Sequence, residues 1–283
     1  MTYLVTGATG GLGGYALHYL KKLVPASEIV ALVRDERKAT ALKDQGIEVR
    51  VGDYGDPASL KQAFAGVDRL LFISGVPGDR QAQHTNVVNA AKEAGVSFIA
   101  YTSFANATNV DNMLSVDHQF TEQLIERSGL DYTLLRNNWY LENETPLLKA
   151  ALHSGELDFA AGDATVGWAL KREYGEAAAR VLSGKQHNAQ IVELSGNAVT
   201  YTQLAEALSQ AAGKTIVARA LDDEEFVKAL GEQGLPAEAA QGILGIQQLI
   251  KAGDLEVESK DFEEVLGKPL TPLAEALKEV LGL

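Results

Sequence analysis

Cysteine is absent from the 283 residues. Its absence excludes disulfides, thiolate metal ligands and cysteine nucleophiles, and it suits a reducing compartment. Basic charge is scarce: 25 Lys and Arg stand against 38 Asp and Glu, a formal net charge of -13. A chain of that sign repels nucleic-acid phosphates and anionic membrane surfaces unless it gathers its bases into one patch. The densest basic cluster, Arg34, Arg37 and Lys38, has two acids inside it. Neither nucleic acid nor membrane is therefore expected as a partner. Long apolar runs are missing too; none approaches the roughly 20 residues that span a bilayer. Met1-Thr2-Tyr3 lacks the basic region of a secretory signal, so the expected location is cytoplasmic. Without export, the Asn106 and Asn143 sequons carry no meaning.

What is present is an alternation. Tyr3–Thr6, Ile29–Val33, Glu48–Val51, Leu70–Ile73, Phe98–Thr102 and Tyr132–Leu135 read as six short strands. Helical patterns over 11–23, 36–45, 57–65, 81–94 and 115–128 separate them. Most of the strands are continuous apolar runs, the pattern of a parallel sheet covered on both faces. The spacing predicts βαβ units and an α/β fold, a Rossmann-type doubly wound parallel sheet. Residues 1–140 are read as that domain. Residues 141–283 are read mainly as a smaller helix-rich substrate lobe, with some segments returning to the sheet. There, helices are expected over 144–153, 172–182 and 202–212, and strands over 190–194 and 215–220. Glu173 and Glu176 are expected on a solvated face.

Gly7-Ala8-Thr9-Gly10-Gly11-Leu12-Gly13 follows the first strand and opens the first helix, the setting a dinucleotide loop requires. Gly7 permits the tight turn, Gly10 lets backbone approach a pyrophosphate, and Gly13 lets the helix pack close. The helix N-terminus then faces the phosphates. The second strand ends in Val33-Arg34-Asp35, with Arg34 21 residues past Gly13, close to the ribose-reading position. A guanidinium forks onto a 2′-phosphate, and Lys38 adds a point charge, which favours NADP(H) over NAD(H). The alternative leaves Arg34 solvated and gives the ribose to Asp35. Asp53 and Tyr54 follow the third strand, where they contact adenine or merely turn the chain. Ser74 and Gly75 follow the fourth, where small side chains let a cofactor pass.

Taken together, TGATGGLG, LVRDERKATAL, GDYGD, FIAYTS and YTLLRNNWY resemble the NmrA-like atypical short-chain dehydrogenase/reductase family. The likeness is greatest to its quinone-reducing and triphenylmethane-dye-reducing members. It implies a Rossmann domain with a C-terminal substrate lobe, and NADP(H) as cofactor. It also implies cofactor contacts at Gly7, Thr9, Gly10, Leu12, Gly13 and Arg34, and at Asp53, Tyr54, Ser74, Gly75, Tyr101, Thr102, Ser103 and Asn137.

One departure from ordinary short-chain dehydrogenases bears on chemistry. The helix after the fifth strand reads SVDHQFTEQLIERSG and holds neither tyrosine nor lysine, so the usual Tyr-x-x-x-Lys pair is missing. His118 and Glu122 share one face at that spacing, and a glutamate there raises a histidine's pKa. Ketone reduction needs a proton donor. Hydride addition to a quinone instead yields a phenol-like anion with a pKa of about 10, so placement matters more than acid strength. The expected activity is an NADPH-dependent oxidoreductase passing hydride to a quinone-like or conjugated aromatic acceptor.

Asn137, Asn138, Trp139 and Tyr140 follow the sixth strand. Asn137 suits a carbonyl or carboxamide, and Trp139 and Tyr140 either stack on a flat acceptor or pack structurally. Phe104 has the same standing. His118 either donates a proton or is a satisfied structural group. His18, His84, His153 and His187 are scattered, and no metal site is expected. The rival reading is a non-catalytic NADP(H) sensor that binds a protein partner; a sugar-nucleotide epimerase stands further off.

Overall fold

A computed structural model describes residues 1–184 and 189–283; His187 lies outside the described residues. In chain order the elements are β1 (Tyr3–Val5), α1 (Gly11–Leu20), β2 (Ile29–Val33), α2 (Thr40–Lys43), β3 (Glu48–Val51), α3 (Pro57–Ala63), β4 (Arg69–Phe72), α4 (Arg80–Ala94), β5 (Phe98–Phe104), α5 (Ser115–Glu126) and β6 (Asp131–Asn137). There follow α6 (Thr145–Ser154), β7 (Glu156–Phe159), α7 (Lys171–Ser183), β8 (Ile191–Leu194), α8 (Tyr201–Ala212), β9 (Val217–Ala220), α9 (Asp223–Glu232), α10 (Ala237–Lys251), α11 (Asp261–Leu266) and α12 (Leu273–Leu281).

Two compact units emerge. The first comprises Met1–Asn137, Lys171–Leu194 and Asp261–Lys268; the second comprises Asn138–Leu170, Ser195–Lys260 and Pro269–Leu283. The first unit holds a seven-stranded sheet in the order β3-β2-β1-β4-β5-β6-β8, all parallel. Strand order reverses between β1 and β4, and in doubly wound sheets ligands bind at the carboxyl ends of the strands beside that switch point. One sheet face, with Leu4, Leu32, Phe72, Ile99 and Tyr101, packs on Leu60, Phe64, Val87, Val88 and Ile125 of the helical layer.

α1 and α7 pack closely together. Gly175 makes this possible: a Cβ there would lie 2.5 Å from Tyr15 Cβ and 3.0 Å from the Ala16 amide. The expectation of a solvated Glu173 and Glu176 is corrected, because both are buried. α7 meets α1, α11 and the strands β4, β5 and β6, so almost no side of it faces water. Glu176 is matched there by Arg180 at 2.9 Å and Lys268 at 2.7 Å, which hold its carboxyl below the ordinary range although burial opposes them.

Two further departures concern secondary structure. Residues 36–45 form a 3-10 turn, Glu36–Ala39, and then the four-residue α2, because Asp35 caps the turn by accepting the Arg37 amide. β7 escapes sequence reading, being four residues of which two are acids. It pairs in parallel with β9 in a two-stranded sheet of the second unit. Asp158 is tolerated there because Arg219 grips both its oxygens, at 2.6 and 2.9 Å.

Candidate functional site

The chain leaves β1 through Thr6, whose buried Oγ1 accepts from the Ile73 amide at 2.9 Å and donates to the Tyr54 hydroxyl oxygen at 2.5 Å. Tyr54 also donates to Ile73 O at 2.8 Å. These bonds tie the ends of β1 and β4 together before the glycine loop begins. Gly7 adopts φ +58, and its carbonyl accepts the Gly10 amide at 2.9 Å. A Cβ on Gly13 would stand 2.2 Å from Gly7 O and 2.7 Å from Gly7 C, and one on Gly10 3.2 Å from Gly7 O. The cradle is thus one of backbone alone. α1 starts at Gly11 with no side-chain cap and no acid in its first turn, so its dipole and amides remain available to an anion. A pyrophosphate fits this donor set. A cavity of about 500 Å³ includes Thr9, Gly10 and Gly11, then runs along α1 past Tyr15 and His18 to Arg172. Only its loop end coincides with the phosphate cradle.

At the end of β2, Arg37 takes Asp35 in a fork, Nε to Oδ1 and Nη2 to Oδ2, each at 2.9 Å. That contact lowers the Asp35 carboxyl below its ordinary range. Asp35 is therefore matched in charge and occupied on both oxygens. Arg34 and Lys38 are exposed. Beyond β3, Asp53 spends Oδ1 on the Gly55 amide at 2.7 Å, the geometry of a turn residue.

The segment after β4 is held by its neighbours. The Ser74 amide donates to Thr102 Oγ1 at 2.9 Å, and the Gly75 amide to His84 Nε2 at 3.0 Å. An amide can only donate, so His84 carries its proton on Nδ1 and gives it to Thr121 Oγ1 at 2.7 Å. Burial, aided by Arg80, pushes this imidazole down to about 3, so it stays neutral. His84 was not singled out from sequence, where it looks like one scattered histidine. Its spacing with Val87, Val88 and Ala91, all buried, is the signal that places it inward.

His118 accepts no help from Glu122. Its Nδ1 meets the Tyr101 hydroxyl at 2.8 Å, and its ring stacks on Phe104. Burial, then Arg80 and His84, push it down to about 3, opposite to the expected effect of Glu122. The reason is that Glu122 is committed elsewhere. Arg136 of β6 reaches it through Nε at 2.9 Å and Nη2 at 2.7 Å, and Ser103 Oγ donates to it at 2.5 Å. Tyr101 is fully buried, so its side chain presents no surface to a ligand and acts by fixing His118. Asn137 closes β6 opposite Phe104 and is buried.

The remaining aromatic candidates lie in the second unit. Trp139 Nε1 donates to Glu144 Oε1 at 3.0 Å. Trp168 Nε1 reaches the same oxygen at 3.4 Å, and the Tyr201 hydroxyl donates to Oε2 at 3.1 Å. Tyr140 bridges Ala169, and Asn138 donates to Ser195 Oγ and Leu255 O. Nothing in the sequence marked Glu144, because two of its three partners, Trp168 and Tyr201, come from distant segments. Burial pushes its carboxyl up to about 7 against the three hydrogen bonds. An acid with a raised folded pKa contributes most below its unfolded value, and that stability is lost as pH rises toward 7. The chain's two tryptophans are Trp139 and Trp168. Intrinsic tryptophan fluorescence should therefore show a step centred near pH 7 that Glu144→Gln removes; a wild-type signal flat from pH 5 to 9 would contradict the assignment.

Comparison with known proteins places this arrangement among relatives. The sequence model described as the NmrA-like family matches residues 1–267. The chain is 44% identical over 281 residues to quinone oxidoreductase 2 of Escherichia coli, covering 99% of this chain and 98% of that protein. The solved structure of an NADPH-dependent quinone oxidoreductase from Escherichia coli complexed with NADPH superposes with a TM-score of 0.92 at 44% identity, over 99% of each chain. A Citrobacter triphenylmethane reductase complexed with NADP(H) superposes with a TM-score of 0.93 at 40% identity, over 99% of this chain and 100% of that one.

Proposed function

This chain belongs to the NmrA-like family, and on that premise we infer that it is an NADPH-dependent oxidoreductase that passes hydride to a quinone or similar conjugated aromatic acceptor. The observation that carries the cofactor half is at the end of β2. There Arg34 stands exposed beside an aspartate already matched by Arg37, so a 2′-phosphate meets a guanidinium without a competing acid. Backbone amides of residues 7–13 hold the pyrophosphate, with Thr9, Gly11 and Leu12 shaping the loop. Lys38 adds charge near the ribose. Asp53 and Tyr54 stand toward adenine, and Ser74, Gly75, Thr102 and Ser103 leave a passage. When bound, NADPH supplies the hydride.

The acceptor half follows from what α5 lacks. Without tyrosine or lysine on that helix, α5 offers no tyrosine–lysine pair to protonate an alkoxide, whereas a hydroquinone anion whose conjugate acid has a pKa of about 10 survives the transfer step. We assign Asn137 to orienting a carbonyl or carboxamide. His118, neutral and fixed by Tyr101, is at most a proton carrier. Phe104 of the first unit is a proposed aromatic contact to a flat acceptor. No helix among the described residues is long and apolar enough to cross a membrane; a cytoplasmic location, where NADPH is supplied, is part of the same proposal.

Purified protein should oxidise NADPH when given menadione and turn over simple aldehydes poorly. The reverse ranking would overturn the acceptor class. A flat trace with every acceptor, alongside tight NADPH binding, would favour a sensor. Arg34→Ala should weaken NADPH binding by roughly 10- to 100-fold, the worth of one or two charge-assisted hydrogen bonds, and leave NADH nearly untouched. Equal losses for both cofactors, measured by calorimetry, would remove the 2′-phosphate assignment.

A further inference from the structure

Glu144 is a buried carboxyl whose every partner is a neutral donor. The direction of each bond is fixed. The Ala160 amide donates to Gln247 Oε1 at 2.9 Å, which sets the Gln247 amide so that its Nε2 donates to the Tyr201 hydroxyl oxygen at 2.7 Å. Tyr201 must then turn its own proton to Glu144 Oε2. The two indole nitrogens have no lone pair to offer, so both donate to Oε1. Four groups from four segments are thus arranged for a carboxylate. No charged group contributes to its environment among the described residues: burial, Tyr201, Trp168 and Trp139 account for it. Burying an ion without a counterion is costly, and folded chains pair such charges or neutralise them.

Glu144 is also among the residues lining a cavity of about 90 Å³ in the second unit, which opens between the residues around Trp139 and those of α10. Its other walls include Pro146, Leu147, Ile243 and Ile246. At roughly 30 Å³ per water molecule, this volume holds a group of a few heavy atoms and not an aromatic ring. A carboxylate has about four acceptor sites, and three are taken. Apolar walls, one open acceptor site and an unmatched negative charge define a complementary ligand: a small organic cation with alkyl groups. We propose that this cavity is a subsite for an alkylated ammonium group, with Glu144 as its counter-charge and Trp139 as its aromatic wall. Aromatic surfaces attract such cations through their ring quadrupole. The proposal goes beyond the oxidoreductase reading and does not depend on it. An acceptor bearing such a group, or a separate amine, would present the same chemistry.

The protein itself supplies the probe, since both tryptophans touch Glu144. At pH 8.5, on the order of one unit or more above the Glu144 midpoint, methylammonium and dimethylammonium should change tryptophan fluorescence saturably. Ethanol, a neutral compound with as many heavy atoms as the second, should not. Glu144→Gln should weaken the response at least tenfold. Ile243→Phe, which fills the cavity and leaves the carboxyl in place, should do the same, so the proposal does not hang on one variant's folding; far-UV circular dichroism checks both. An equal response to ethanol, an unchanged response in both variants, or no saturation by either cation would overturn the subsite. NADPH oxidation with menadione, an uncharged acceptor, separately tests the enzyme reading in the wild-type protein.

Discussion

Gly13→Ala is expected to weaken NADPH binding by at least a hundredfold. The added methyl would stand 2.2 Å from Gly7 O, 2.7 Å from Gly7 C and 3.1 Å from Ala8 Cα. All three are backbone atoms, so no side chain can rotate away. Either α1 withdraws from the loop or the loop opens by about an ångström, and the amides that grip the pyrophosphate lose their common focus. Losses of about 3 kcal/mol, a hundredfold and more in affinity, follow when several charge-assisted bonds are spoiled at once. Gly14 is the control. It sits one residue further along α1, and a Cβ there meets nothing within 4 Å. Gly14→Ala should bind NADPH nearly as wild type and gain up to about 1 kcal/mol of stability from helix propensity. Calorimetric titration with thermal unfolding of both variants separates the cases. Should Gly13→Ala bind NADPH within fivefold of wild type, residues 7–13 are not the phosphate cradle.

The contrast between Gly13 and Gly14 marks how far sequence reasoning reaches. The strand-loop-helix order around residue 7 is a local pattern, and so are the strand-like runs Ile29–Val33 and Glu48–Val51, which are strands with those same bounds in the structure. Gly95 caps α4 with a positive φ, a stop that the residue type itself announces. What was not legible depends on partners distant in the chain. β7 needs β9, some sixty residues away, to be a strand at all. Glu173 and Glu176 look like a wet face until α1 and α11 close over α7. Glu122 shares a helical face with His118, which suggested a coupled pair; Arg136, fourteen residues further on, outcompetes the imidazole because a fixed charge and a forked geometry bind a carboxylate more strongly than a neutral ring does. His84 and Glu144 carry no motif, and each acquires its place only through the groups that fold against it.

Removing Arg136 should therefore be among the most destabilising single changes in the first unit, costing about 3–5 kcal/mol, the usual penalty for orphaning a buried ion pair. Both side chains are nearly inaccessible, 5% exposed for Arg136 and 2% for Glu122. Arg136 also reaches Glu193 at 3.1 Å, so Arg136→Met leaves two carboxylates facing one another across β6. Burial, with Glu122 nearby, already pushes the Glu193 carboxyl above its ordinary range; protonating it relieves that repulsion, so the variant should regain stability as pH falls. The double variant Glu122→Leu/Arg136→Met tests whether the cost lies in the orphaned charge. Apolar pairs of similar volume replace buried ion pairs at little net cost, so the double variant should be more stable than Arg136→Met alone. Urea unfolding of the two singles and the double measures the coupling. Additive losses, or an Arg136→Met variant within about 1 kcal/mol of wild type, would mean that the pair is solvated in solution. In that case Glu122 would be free to turn toward His118, and the neutral imidazole assigned above would have to be reconsidered.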